Sequence, residues 1–147
     1  MSEEFRPSVR FRMAIEEDWR DGEWFTCPTK GFTWLEVKIK HWTAGDADAT
    51  NEKCTLTRVV GGKRESERDD DAFTEAMIDG VIQDLRDAES HESVPCTLNT
   101  KLAIAHNHRP VIKWIMETAL DHERMVQARS ESASAEKKIS GTGSQPS

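Results

Sequence analysis

The sequence lacks any apolar run long enough to cross a bilayer, so no membrane-spanning helix is expected. It has no glycine-rich phosphate loop, since Gly61-Gly62 reads as a strand end, and no internal repeat. Its three cysteines, Cys27, Cys54 and Cys96, have no paired spacing. The opening MSEEFRPS is acidic and reads as no signal peptide. An odd cysteine count without a secretion signal points to reduced thiols and a cytoplasmic setting. Only His106-Asn107-His108 suggests metal ligands. Zinc needs about four ligands, and no second pair has the spacing, so neither metal nor cofactor is expected. Nothing marks Cys27 as an activated nucleophile. These absences together argue against an enzyme with a small-molecule substrate.

What the chain has in quantity is charge. Twenty Lys and Arg face 27 Asp and Glu over 147 residues, a net charge of −7. The excess acid is local. Asp71 to Glu92 holds seven acids against Arg86, whereas Lys30 to Trp42 holds three lysines against Glu36. The distribution therefore carries more information than the sum.

The basic stretch Gly31–Trp42 alternates. Leu35, Val37 and Ile39 share one strand face; Phe32, Trp34, Glu36, Lys38, Lys40 and Trp42 share the other. The first face belongs on a core. The second suits either an ordinary sheet surface or a nucleic-acid platform, with ammonium groups on phosphates and rings on bases.

Val9–Ile15 alternates too and predicts a strand with Arg10 and Arg12 outward. Glu16–Lys30 reads as a loop or short helix presenting Trp19 and Trp24. The polar run TAGDADATNE reads as a hairpin-type connection. Glu52–Val60 predicts a strand with Cys54 and Leu56 inward and Lys53, Thr55 and Thr57 outward; a charged loop, 63–70, follows. Phe73, Met77, Val81 and Leu85 predict a helix over 71–90 with aspartates at its positive end. Val94–His108 predicts a long strand with Cys96 inward and Thr97, Asn99 and Lys101 outward. Pro110 opens a last helix. From Arg129 the chain is poor in apolar residues and reads as a disordered tail, leaving 1–128 as one domain.

The expected fold is α+β: a two-layer sandwich with a roughly four-stranded, mainly antiparallel sheet, helices on one face, and the other face open. That open face would carry Arg10, Arg12, Lys38, Lys40, Lys53 and Lys101, with hydroxyls from Ser8, Thr55, Thr57 and Thr97, opposite the acidic layer.

Three pieces of the chain resemble one family. They are Gly31-Phe32-Thr33-Trp34 with its basic strand, Leu56-Thr57-Arg58-Val59-Val60-Gly61, and Pro95-Cys96-Thr97-Leu98-Asn99-Thr100 running on into IKWIMETAL. Over about residues 31–128 the chain resembles the tombusvirus nineteen-kilodalton and aureusvirus fourteen-kilodalton suppressors of RNA silencing. The resemblance implies a non-enzymatic viral homodimer whose joined sheets hold double-stranded, small interfering RNA by its backbone, without reading sequence. It implies Lys38, Lys40 and His41 near phosphates and Thr97 and Asn99 on phosphate or 2′-OH. Trp19, Trp24, Trp34 and Trp42 become candidates for base stacking. Trp19 and Trp24 are not spaced like the end-stacking pair of the nineteen-kilodalton proteins, so length selection is not expected. The alternative is an acidic, dimeric, chaperone-like module that binds protein and no nucleic acid.

Overall fold

The structure is a computed structural model and describes residues 18–142. The strand expected at Val9–Ile15, with Arg10 and Arg12, lies outside the described residues. Within them the fold is α+β, with five helices and two small antiparallel sheets.

The first sheet has three strands in the order β1–β2–β5: β1 Glu23–Thr26, β2 Leu35–Ile39 and β5 Ile82–Asp87. β2 is central, and its Leu35, Val37 and Ile39 are buried as their alternation requires. Gly22 leads into β1 where no other residue fits: a Cβ there would sit 2.6 Å from the Ile39 carbonyl oxygen.

Three helices bury their apolar residues against this sheet. The core joins Leu35, Val37, Ile39, Ile82 and Leu85 to Ile78 and Val81 of α2 (Asp70–Val81), to Val111, Ile115 and Ala119 of α4 (Arg109–Leu120), and to Met125 of α5 (His122–Thr142). Cys27 is the buried cysteine; Cys54 and Cys96, expected inward, are only half-buried.

Several elements differ from the sequence reading. The polar run after Thr43 is not a reversal but helix α1 (Ala44–Cys54), started by a capping box in which Thr43 and Asp46 satisfy each other's backbone N–H groups. The helix expected over 71–90 stops at Val81, and the chain continues directly as β5. The strand expected over 94–108 is instead helix α3 (Leu98–Asn107), with the Thr97 hydroxyl accepting from the Thr100 N–H at 3.2 Å. It therefore offers no sheet edge for pairing with a second copy. Residues 129–142, expected as a disordered tail, continue helix α5, and Ser132 Oγ donates to the Glu23 carboxylate at 2.9 Å.

The second sheet is a two-stranded ribbon, β3 (Thr55–Val60) with β4 (Lys63–Arg68). Expected as one strand and a charged loop, it is a hairpin in register from Thr55↔Arg68 to Val60↔Lys63. Gly61 and Gly62 turn it with φ of 59° and 79°, the left-handed values that a tight two-residue hairpin turn needs. The Asp69 N–H donates to the Cys54 carbonyl at 2.8 Å and closes its base. Every residue from Leu56 to Arg68 is exposed, so the ribbon stands off the core.

Candidate nucleic-acid interface

Among the described residues, those expected to form one open basic face do not come together. On the outer face of the three-stranded sheet the register places Trp24 and Thr26 of β1 beside Lys38 and Glu36 of β2, and those beside Asp84 and Arg86 of β5. Two cations meet two carboxylates, so the face is balanced rather than basic. The Arg86 guanidinium pairs with Glu36 at 2.7 Å and lies 3.9 Å over the Trp24 ring. Trp24 is half-buried there rather than displayed for stacking.

The other expected contacts are mostly structural. Lys40 is half-buried, paired with the Asp46 carboxylate, and donates to the His41 carbonyl at 3.1 Å. Burial alone would raise the Asp46 carboxyl. Its hydrogen bonds from Lys40 and Thr43 outweigh that and hold it below the ordinary range. Lys101 is buried at 8% exposure and donates to both the Asp79 carboxylate, at 2.9 Å, and the Asp79 carbonyl, at 3.0 Å. A lysine near the C-terminal turn of α2 complements that helix's dipole. Thr97 caps α3 and Asn99 is exposed in its first turn, remote in role from any sheet face.

His41 is buried, with Nδ1–H donating to the Ala119 carbonyl at 2.8 Å. Its Nε2 must then accept, and His122 Nδ1 lies 3.3 Å away as the donor. Both rings meet Trp19 edge-on, at centroid distances of 5.1 and 5.4 Å, and Arg129 stacks on Trp19 at 4.1 Å. Burial pushes the His41 imidazole below its ordinary pKa. Trp19 and His41 are thus core, not ligand contacts. Trp42 is half-buried against Gly80, where a Cβ would approach its ring to 3.2 Å. Trp34 is 47% exposed, its indole N–H held by the Gly31 carbonyl at 3.1 Å. His106 ends α3 and His108 precedes α4, so they do not share a strand face.

Unpaired positive charge gathers instead on the β3–β4 ribbon. The register separates its two faces. One carries Thr55, Thr57, Val59, Arg64, Ser66 and Arg68: two guanidiniums, three hydroxyls and no carboxylate. The other carries Leu56, Arg58, Val60, Lys63, Glu65 and Glu67, with Arg58 paired to Glu67 at 3.3 Å. The Thr57 and Ser66 hydroxyls face each other at 3.5 Å. Thr55 donates to the Asn51 carbonyl at 2.6 Å, and exposed Lys53 lies in the last turn of α1, just before the ribbon. Arg68 is anchored at the base, on Asp70 at 2.8 Å and over Phe73 at 4.4 Å. Among the described residues, Lys53, Lys63 and Arg64 have no acidic partner within 4.0 Å. Of the residues expected from sequence, Lys53, Thr55 and Thr57 fall at this site. Arg64, Ser66 and Lys63 were missed because KRESER has no apolar residue to mark a strand, although the Gly-Gly turn before it signals a hairpin.

Among the described residues no helix is long and apolar enough to cross a membrane. Comparison with protein-family models, with curated proteins and with solved structures finds no match to this chain.

Proposed function

We propose that the chain binds the phosphate backbone of double-stranded RNA through the β3–β4 ribbon, without catalysis, and acts, like the suppressors it resembles, by sequestering short duplexes. The observation that carries this reading is the carboxylate-free ribbon face, on which the exposed Arg64 stands beside the Thr57 and Ser66 hydroxyls, with Arg68 anchored at the base. Guanidinium and ammonium groups neutralise phosphates, while hydroxyls can reach the 2′-OH groups lining the wide minor groove of A-form RNA. Asp69, Asp70 and Asp71 follow the ribbon directly and Asp70 holds Arg68, so the distal part of this face, with Arg64, makes the contact. Backbone contacts position a protein but do not read sequence, so binding is sequence-independent. The test is competition against a labelled short RNA duplex by unlabelled short RNA, long RNA and DNA duplexes of one composition. RNA of either length should compete per nucleotide, and DNA should compete less well. Equal competition by DNA would remove the 2′-OH argument.

A second reading, protein binding, is favoured by Leu56 at 65% and Val59 at 71% exposure on the same ribbon. An isolated two-stranded hairpin is marginal in water, and its free edge suits a strand from a second copy or another protein. Sedimentation separates the cases: a homodimer supports self-pairing, and a monomer at micromolar concentration removes it.

A further inference from the structure

We propose that the groove between α2, α3 and α4 is a docking site for a cationic amphipathic helix of a partner protein. The groove has a volume of about 700 Å³. Met77, Leu102, Ile112 and Met116 form its floor, each half-buried, with one side on the core and the other open. Helices wall it, and a groove between helices receives the apolar face of another helix more readily than an extended strand. The two floor methionines, one from α2 and one from α4, adapt to whatever side chain enters.

The charge on the lip selects the partner. Asp71 and Glu75 stand one turn apart on α2, both exposed. The other two acids near them on α2 are held: Asp70 by Arg68 and Asp79 by Lys101. Among the described residues, Asp71 and Glu75 have no cation within 4.0 Å, and two like charges at this spacing oppose the helix that carries them. The opposite lip offers His106 and no lysine or arginine. The complement is a helix with apolar residues three and four apart and Lys or Arg one turn apart along its flank. Phosphate would be repelled from this lip, so the groove does not serve the RNA-binding surface.

The test uses the full chain labelled at its methionine methyls and two synthetic helices. Both have leucines on one face; the polar face carries lysine in one and glutamate in the other. The lysine helix should shift the Met77 and Met116 methyls saturably and leave the buried Met125 methyl unmoved. Asp71→Asn with Glu75→Gln, both on the surface, should weaken it about tenfold, the scale expected for two exposed ion pairs. Equal binding by the glutamate helix, shifts confined to other methyls, or no shift would overturn the proposal. So would methyl shifts that appear on concentrating the protein alone, which would assign the groove to a second copy.

Discussion

The central strand of the three-stranded sheet, β2, and the first strand of the ribbon, β3, both combine aliphatic residues with a cation, and they have opposite fates. In the sheet Val37 and Ile39 are fully buried; in the ribbon Leu56 and Val59 are mostly exposed. On the sheet side Arg86 is paired with Glu36, and Lys40, just past β2, with Asp46, while Lys38 has Asp84 opposite it in the register. The ribbon's Lys63 and Arg64 are uncommitted. A cation on the outer face of a strand is therefore a binding group only when the neighbouring strands bring no carboxylate to it. Neighbouring strands are what a linear reading does not contain.

The contrast can be broken first in the core. Ile39→Ala should destabilise the protein by about 2–5 kcal/mol, because a central-strand side chain sealed by three helices leaves a cavity that cannot fully collapse. Val59→Ala on the ribbon should cost no more than about 0.5 kcal/mol, as for other surface positions. Urea unfolding of the two variants checks this, and similar losses would mean that the ribbon packs on something.

Next come the lysines. Lys101→Ala should cost about 1–2 kcal/mol, discounted because Asp79 is half-exposed, since it strips the partner from a carboxylate and from a backbone carbonyl. Lys38→Ala should change neither stability nor RNA affinity appreciably, because its face is already charge-balanced. Loss of RNA binding in Lys38→Ala would return the site to the sheet.

A smaller effect distinguishes the buried histidine from an exposed one. The folded pKa of His41 lies below its ordinary value of 6.5, chiefly through burial, so on acidification the unfolded chain takes up the proton first. The His41 contribution is complete above about pH 6.5 and is lost as pH falls through the lower, folded value. Unfolding free energy should therefore decline between about pH 7.5 and 5.5, and the decline should be shallower in His41→Asn. The same slope in both proteins would place His41 outside the core.

Much of the fold was readable where packing and local pattern agree. The alternation of Leu35, Val37 and Ile39 marked a strand, Pro110 and the stripe through Ile115 and Ala119 marked α4, and three aspartates marked the start of α2. The misreadings have physical causes. α1 is too polar to show a stripe, and only its Thr43–Asp46 capping box announces it. Leu98, Leu102 and Ala105 fit a helix face as well as Leu98, Leu102 and Ile104 fit alternation, and the Thr97 cap decides for the helix. The stripe Phe73, Met77, Val81, Leu85 runs unbroken across a helix-to-strand junction, and Gly80, one residue before the end of α2, reads equally well as a helix-interior glycine packed on a neighbour. At the site, the charges that neutralise expected lysines come from elsewhere in the chain: Asp46 for Lys40 lies 6 residues away in a helix that the sequence reading took for a reversal, and Asp79 for Lys101 lies 22 away. Periodicity cannot report such pairs.

The central claim is that positive charge on the ribbon, not on the sheet, holds duplex RNA. It is tested most directly by the salt dependence of affinity for one short RNA duplex in the parent protein, in Arg64→Ala, and in Lys38→Ala. Removing one phosphate contact should flatten the slope of log affinity against log salt by about 0.7 to 0.9 in the ribbon variant, and the Lys38→Ala slope should match the parent. An unchanged slope in the ribbon variant, or a flattened one only in Lys38→Ala, would contradict the claim.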